Sequence, residues 1–573
     1  MPYARQTVLR TSEELKIRRY QWMVLSNTTL GIFMAALNSS IVVIALPAIF
    51  RGIGLNPLGP GNIGFLLWLL LSFSVALAVL VVSFGRLGDI VGRVRLYNLG
   101  FLIFTLGSAA LALTPGKGSS AAFFMIGMRL VQGIGGAFLF ANANAILADT
   151  FPSSKRGMAL GINQVAALTG SFLGLVVGGI LADVDWRLIF WISVPFGLFG
   201  TVWAFLKLKE TSPVKHTKVD YIGSGLFAVG IILVLLGITY GIQPSGSSAM
   251  SWGTPRIIGL LLAGAAFLVL FVLVELRLKE PMLTLALFKS RAFASGNAAN
   301  LLASIGRGGL QFMLILWLQG IWLPLHGYSF SQTPLWAGIY MLPLTGGFLI
   351  SGPISGVLSD RYGPRIFSTL GMLLASTSFI FLVLLPVNFS YYVFAPILAL
   401  NGIGFGLFSA PNSSAVMNSV PSKFRGTASG VLSTLNNTGQ VFSIGIFFSL
   451  MITGLSASLP SSLLAALSKA GLPIAKAQAI AHLPAVASLF GAFLGLNPVK
   501  TLLGSELSQL PSKTASTLTS SHYFPSVIAG SFKHGISIAF TTASILCLLA
   551  AFASVARGRH FVHHESDLVV EPT

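Results

Sequence analysis

The stretch Gly85-Arg86-Leu87-Gly88-Asp89-Ile90-Val91-Gly92-Arg93 has a second copy far downstream, Gly356-Val357-Leu358-Ser359-Asp360-Arg361-Tyr362-Gly363-Pro364-Arg365. Glycine, aspartate, glycine and arginine keep their order, and the leading glycines are 271 residues apart (356 minus 85). Two more pairs recur. Gln132-Gly133-Ile134-Gly135 returns as Asn401-Gly402-Ile403-Gly404, and Pro152-Ser153-x-x-Arg156-Gly157 returns as Pro421-Ser422-x-x-Arg425-Gly426, both at an offset of 269. Each match alone is weak, but three in one order at nearly one offset imply an internal duplication. The copies lie in very apolar sequence. Duplicated membrane halves are a common construction of secondary transporters, so the repeat points to transport.

Composition agrees. Of 573 residues, 54% are hydrophobic and 9% charged, against about 25% charged in a soluble domain. This is the composition of an all-α, multi-pass membrane protein. The net charge of +20 comes from basic residues scattered through short loops, which is a topology signal and argues against nucleic-acid binding. A single cysteine, Cys547, excludes an intrachain disulfide and a cysteine-based zinc site. Thr11-x-x-Glu14 reads as a capping box opening a helix, and Arg18 and Arg19 then precede a hydrophobic stretch too long for a signal-peptide core.

Apolar segments of spanning length lie near 23–48, 63–84, 96–114, 121–146, 158–182, 188–206, 219–241, 256–275, 293–323, 334–357, 366–386, 391–417, 427–454 and 533–556. They are numbered spans 1 to 14. The N-terminal segment and every second loop together carry 24 of the 35 Lys and Arg residues, which predicts that both termini are cytoplasmic. The repeat maps span 2 onto 10, 4 onto 12 and 5 onto 13. The expected plan is therefore a cytoplasmic segment 1–20, a six-helix half 21–210, a two-helix insertion 211–291, a second six-helix half 292–556 and a cytoplasmic tail 557–573. The long loop 456–530 is expected to form an ordered external cap, with amphipathic pieces at Ser461–Ala470 and Ile474–Leu483. Ala485–Leu496 is too short to be a span and would put the basic tail outside.

Together these motifs resemble those of the major facilitator superfamily, and its fourteen-helix drug:proton antiporter branch in particular. Gly85 to Arg93 resembles the family's loop motif between spans 2 and 3. Arg129-Leu130-Val131-Gln132-Gly133 resembles its span 4 motif, and Gly170 to Gly179 its antiporter motif in span 5. Asn38 to Pro47, Trp186 to Phe190, Val194 to Gly197, and Glu275 with Glu280-Pro281 and Leu287-Phe288 resemble further family segments. The resemblance covers nearly the whole chain. It implies a major facilitator fold of two six-helix pseudo-symmetric halves plus two extra helices. It also implies alternating-access transport in a plasma membrane, with efflux and proton antiport as the branch's activity. Two positions depart from the family. Asn38 stands where an aspartate is usual, and Leu175 where a proline is usual.

The motifs also have a physical reading. At the span 2–3 loop and its copy, Gly85, Gly92, Gly356 and Gly363 permit tight turns and close approach. Asp89 and Asp360 can pair with Arg86, Arg93, Arg361 and Arg365 or cap a helix. The resemblance implies a contact that holds the halves together in one state, whereas the plain alternative is a static, solvated turn. Gly170, Gly174, Gly178 and Gly179 in span 5 suit backbone-to-backbone packing, with or without a say in transport direction.

All fifteen acids lie in tails, loops or near span ends, while Arg129 and Arg307 lie within spans. An intramembrane charge costs several kcal/mol unless it faces a polar cavity or a partner. The offset of 269 makes Asn38 and Arg307 pseudo-symmetric mates near the midplane. With Asn142, Asn144, Asn163, Gln164, Gln311, Asn412, Asn436, Asn437 and Gln440 they form the candidate substrate cavity. The alternative is that backbone carbonyls satisfy each arginine as helix–helix glue.

Asn38 does not titrate, so proton coupling through span 1 is not expected. No cofactor motif, P-loop or catalytic set occurs, so neither an enzyme nor an ATP-driven pump is expected. His560, His563 and His564 read as a solvated tail, and no metal site is expected. The expected partners are the lipid bilayer, a small-molecule substrate and, under the family reading, protons, with the chain acting as a monomer. Export of a small amphipathic compound is the leading reading. The alternatives are an anion or polar-solute exchanger or uniporter without proton coupling, and a non-transporting receptor or scaffold on the same fold.

Overall fold

The computed structural model describes residues 2–56, 59, 62–210, 220–243, 250–278, 285–421, 425–504, 507 and 510–558. Among these residues the regular structure is helical throughout. Fourteen helices are long and apolar enough to cross a membrane, and each overlaps one of the fourteen segments read from hydropathy. Span ends differ most where a helix continues beyond its apolar stretch. The helix carrying span 1 runs from Pro2 to Gly52, so Thr11 and Glu14 lie inside it and do not start it. The helix carrying span 13 runs from Arg425 to Lys469 and absorbs the piece expected at Ser461–Ala470.

Spans 1–6 pack on one another in a fixed set of pairs, with span 1 against 5, 2 against 4, and 3 against 4 and 6. The same pairs recur eight spans later, as 9 with 13, 10 with 12, and 11 with 12 and 14. The repeated glycines show why. A Cβ on Gly133 in span 4 would lie 2.7 Å from the Phe73 carbonyl oxygen of span 2. A Cβ on Gly402, its copy in span 12, would lie 1.9 Å from the Leu344 carbonyl oxygen of span 10. In both places two helix backbones approach so closely that no side chain fits. Spans 7 and 8 pair with each other, and span 7 rests on spans 2 and 13. Phe227, Ile231 and Leu235 there share an apolar cluster with Leu71, Val75, Ala78 and Val441.

With an even number of spans, both termini lie on one face. Side-chain contacts agree, since Tyr20 Oη donates to the Lys209 carbonyl at 3.2 Å and Arg291 Nε donates to the Ala556 carbonyl at 2.8 Å. On the opposite face the chain between spans 13 and 14 forms four short helices, Ile474–Ala481, Ala485–Phe493, Pro498–Leu503 and Ser512–Thr519. Ala485–Phe493 is buried along its whole length and lies on a π-helical turn of span 9, Leu318–Trp322. It has nine residues, too few to cross a bilayer.

Candidate functional site

On the face carrying the termini, span 2 turns into span 3 at Gly92, whose φ of +115° only glycine adopts without strain. Gly363 repeats this at φ +88° in the second copy. The turn aims Arg93 at two carboxylates. Its Nε and Nη2 donate to Asp89 Oδ1 at 2.8 and 2.7 Å, and its Nη1 donates to Asp149 Oδ2 at the end of span 4. Glu210, just after span 6, accepts from the backbone N–H groups of Arg93 and Val94 at 3.1 and 3.0 Å. A carboxylate there satisfies the free N–H groups at the start of span 3 and faces the positive end of its dipole. A Cβ on Gly92 would lie 2.7 Å from Glu210 Oε2, so a larger residue would also push the Glu210 carboxylate aside.

The ends of spans 2, 3, 4 and 6 are thus tied together by one cluster. Arg86 and Arg365 are half-buried beside these turns, and Arg361 lies over the Tyr362 ring at 5.5 Å. Gly85 and Gly356 face Ala141 and Ala410 in matching positions. The side chain of Asp360 and the histidines of the tail lie outside the described residues.

Inside the first six spans Arg129 is sealed from solvent, with 1% of its surface exposed. Its Nη1 donates to Asn38 Oδ1 at 2.7 Å and to Gln132 Oε1 at 2.8 Å, and its guanidinium lies 4.8 Å from the Phe73 ring centroid. Asn38 Nδ2 in turn donates to Ser193 Oγ at 3.3 Å, and Gln132 Nε2 donates to Ser108 Oγ at 2.7 Å. The outer part of this network is duplicated, because Asn401 Nδ2 donates to Ser378 Oγ at 2.7 Å in the second copy. The cation is not duplicated, since Leu398 holds the place of Arg129.

The expectation that Asn38 faces a cavity is therefore corrected. It is fully buried and bonded to spans 4 and 6. Asn142, Asn163 and Asn412 are also buried inside their own halves. Asn142 Nδ2 donates to the Phe138 carbonyl, Thr29 Oγ1 donates to Asn163 Oδ1, and Asn412 Nδ2 donates to the Gly296 carbonyl. Arg557 also donates to Asn412.

The span 5 glycines divide into two sets. Cβ atoms on Gly170 and Gly174 would lie 2.4 and 2.5 Å from the carbonyl oxygens of Phe33 and Leu37, and one on Gly178 would strike Ile41 and Ile44, all in span 1. These three pack spans 5 and 1. Gly179 points elsewhere. Its Cβ would lie 2.5 Å from Leu335 Cα in span 10, and one on Gly338 in span 10 would lie 2.9 Å from the Leu175 carbonyl oxygen. Nearby, Gln319 Nε2 in the π turn of span 9 donates to the Ile44 carbonyl of span 1 at 3.2 Å. These approaches join the two sets of spans on the side away from the termini.

Arg307 differs from Arg129. It is half-buried in the middle of span 9, and its guanidinium lies 5.1 Å from the Phe348 ring centroid of span 10. Among the described residues it has no hydrogen bond and no ion pair. Gln311 is half-buried one turn further along, as are Asn436, Asn437 and Gln440 on span 13, while Asn144 is half-buried and Gln164 exposed. Span 13 adjoins Arg307 directly, because a Cβ on Gly308 would lie 2.7 Å from Gln440 Cα. Gln440 Nε2 donates to Asn436 Oδ1. Asn38, Asn142, Asn163 and Asn412 are thus sealed within their own halves, whereas Arg307, Gln311, Asn436, Asn437 and Gln440 of spans 9 and 13 are half-buried. Glu210, Ser108, Ser193 and Ser378 are not among the residues singled out from the sequence, whereas Asn401 lies in the repeated motif. Ser108 and Ser378 lie 270 residues apart, so the repeat offset carried a signal for them. Glu210 lies in no repeated motif.

Comparison with known proteins places the chain among transporters. The chain is 28% identical over 537 residues to a tetracenomycin C resistance and export protein of Streptomyces glaucescens, covering 93% of this chain and 91% of the relative. It is 29% identical to the riboflavin transporter RibZ of Clostridioides difficile, covering 75% and 88%. It is also 29% identical to the multidrug resistance protein Stp of Mycobacterium tuberculosis, covering 77% and 78%. Among solved structures, a peptide transporter POT in complex with sulfate superimposes with a TM-score of 0.54 at 17% identity, over 85% of this chain and 94% of that one. A bacterial homologue of the lysosomal transporter Spinster gives 0.51 at 15% identity, over 95% and 97%. The family model described as Major Facilitator Superfamily matches residues 28–444, and the chain belongs to that superfamily.

Proposed function

We propose that this transporter exports small amphipathic organic compounds across the plasma membrane, as a monomer with both termini in the cytoplasm. The segments 21–210 and 292–556 rock against each other, and the insertion 211–291 rides on the seam between them. The observation that carries this reading is the location of the close contacts between the two sets of spans. Gly179 with Leu335, Gly338 with Leu175, and Gln319 with Ile44 all lie away from the termini. A chain held together at that end is suited to a state open toward the cytoplasm. The names of its relatives, with tetracenomycin export and multidrug resistance among them, support the outward direction.

The Asp89–Arg93–Asp149–Glu210 cluster is the proposed inner gate. In the present state its described partners all come from the first six spans, so closure of the inner side exchanges some of these contacts for partners on the second half. The buried Asn38–Arg129 contact carries no titratable carboxylate, so any proton coupling runs through a route other than span 1. Substrate flux in proteoliposomes, with and without an imposed pH gradient, tests the whole reading. Protein-dependent flux of the compound down its own gradient, with weak dependence on the pH gradient, is expected. Absence of flux for every amphipathic compound tried, by protein that is correctly inserted, would leave a receptor or scaffold as the function.

A further inference from the structure

We propose that Arg307 is the recognition point for an organic monoanion, a carboxylate or acidic phenol on an apolar or aromatic body. This inference rests on the transporter reading and names the substrate class of its cavity. Arg307 lies sixteen residues into span 9, which starts at Arg291, or about 24 Å along a helix that rises 1.5 Å per residue. That depth is within the hydrocarbon core, about 30 Å thick. A guanidinium there needs a partner or water. The sequence supplies no carboxylate at that depth, because its acids lie in tails, loops and near span ends.

The contrast with Arg129 decides the matter. Arg129 is held in place by two amide oxygens on its Nη1 and by a ring, and is sealed, with its Nε left unpartnered. Among the described residues Arg307 has no hydrogen-bond partner; it is half-buried, with the Phe348 ring beside it. Asn38 and Arg307 occupy matching places in the repeat, yet the first half has used its cation internally and the second has left its own half-buried with its donors unbonded. A guanidinium whose hydrogen-bond donors are unused is the fork that a carboxylate fills with two charge-assisted bonds. The same cation repels organic ammonium compounds in a cavity of low dielectric. Gln440 of span 13, packed against the neighbouring Gly308, and its hydrogen-bond partner Asn436 are both neutral, so they bring no competing negative charge.

The test uses the purified full-length chain and three probes of one shape: 1-naphthoate, 1-naphthamide and 1-naphthylmethylammonium. Binding of each is measured to the unmodified protein, Arg307→Gln and Arg307→Lys, with flux of each measured in proteoliposomes. Naphthoate should bind the unmodified protein about tenfold or more tighter than naphthamide, the gain expected of one charge-assisted hydrogen bond set over a neutral one. Arg307→Gln should reduce that preference to within about threefold while naphthamide binding stays unchanged, which also shows that the variant is folded. Arg307→Lys should keep part of the preference. Equal binding of naphthoate and naphthamide, a preference that survives Arg307→Gln, or tightest binding of the ammonium overturns the proposal. Two results separate the readings. Flux of the ammonium that Arg307→Gln does not affect keeps the transporter and overturns the anion site. Arg307-dependent naphthoate binding without flux of any probe keeps the anion site and overturns the transporter.

Discussion

Adding one methyl group at Gly179 should shift the balance between the two states of this transporter, and adding one at Gly170 should not. Both glycines are in span 5 and both are in close contact with backbone, but the contacts differ in kind. In Gly179→Ala the new Cβ would lie 2.5 Å from Leu335 Cα, 2.7 Å from its nitrogen and 2.9 Å from the Pro334 carbonyl carbon. Backbone atoms of a packed helix cannot swing aside, and overpacking of this kind costs about 1–3 kcal/mol. The clash exists only while spans 5 and 10 are together. It is relieved by separating them, so the cost falls on one state, and a difference of about 1–3 kcal/mol moves the equilibrium by about 5- to 150-fold. In Gly170→Ala the Cβ would lie 2.4 Å from the Phe33 carbonyl oxygen, within the first six spans. No rocking of the halves relieves that contact, so the fold itself loses stability.

Spin labels on cysteines placed at Val184 and Ser331, in a Cys547→Ala background, report the separation on this face. Both positions are exposed, on opposite sides of the contact. Gly179→Ala should broaden the distance distribution and move it outward with little change in Tm. Gly170→Ala should lower Tm and leave the distances in place. Distances unchanged by Gly179→Ala, or moved equally by both, would refute the two-state reasoning.

Three further outcomes are expected. Reporters at Lys215, Lys289 and Arg559 should be cytoplasmic and one at Lys500 external; a cytoplasmic signal at Lys500 breaks the fourteen-span topology. Gly402→Ala, whose Cβ would fall 1.9 Å from the Leu344 carbonyl oxygen, should lower Tm sharply or prevent folding, whereas Gly127→Ala, with nothing within 4 Å, should stay near the parent in a thermal melt. Asn38→Asp would place a carboxylate against Arg129 Nη1, now 2.7 Å from Asn38 Oδ1. Flux should then acquire a stronger dependence on the pH gradient than the parent shows, and an unchanged dependence would remove span 1 from the coupling argument.

Much of this architecture is legible in the sequence because the bilayer imposes local rules. A spanning helix must satisfy its backbone internally and present about twenty apolar residues, so composition and length alone locate all fourteen. The nine-residue helix Ala485–Phe493 is separable from the spans by its short apolar stretch and by the side on which a further span would put the basic tail. The extents of spans 1 and 13 were less legible, since a helix can continue past its apolar stretch without any change in hydropathy. The duplicated glycines were visible at once, although their partners Phe73 and Leu344 were not.

By itself, then, the sequence determined the membrane class, the number of spans, the duplicated plan and the two arginines within the membrane. The tertiary structure alone decided what those arginines are. Which side chains meet depends on how each helix is rotated and where it crosses its neighbours, and the hydropathy of one segment carries neither quantity. Spans 1 and 4 are turned so that Asn38 and Gln132 meet Arg129 and seal it. Span 9 is turned so that Arg307 has Phe348 beside it and its hydrogen-bond donors free. The same charge is hydrogen-bonded to side chains in one half and has its donors unbonded in the other, because only packing supplies or withholds the oxygen atoms that accept from it.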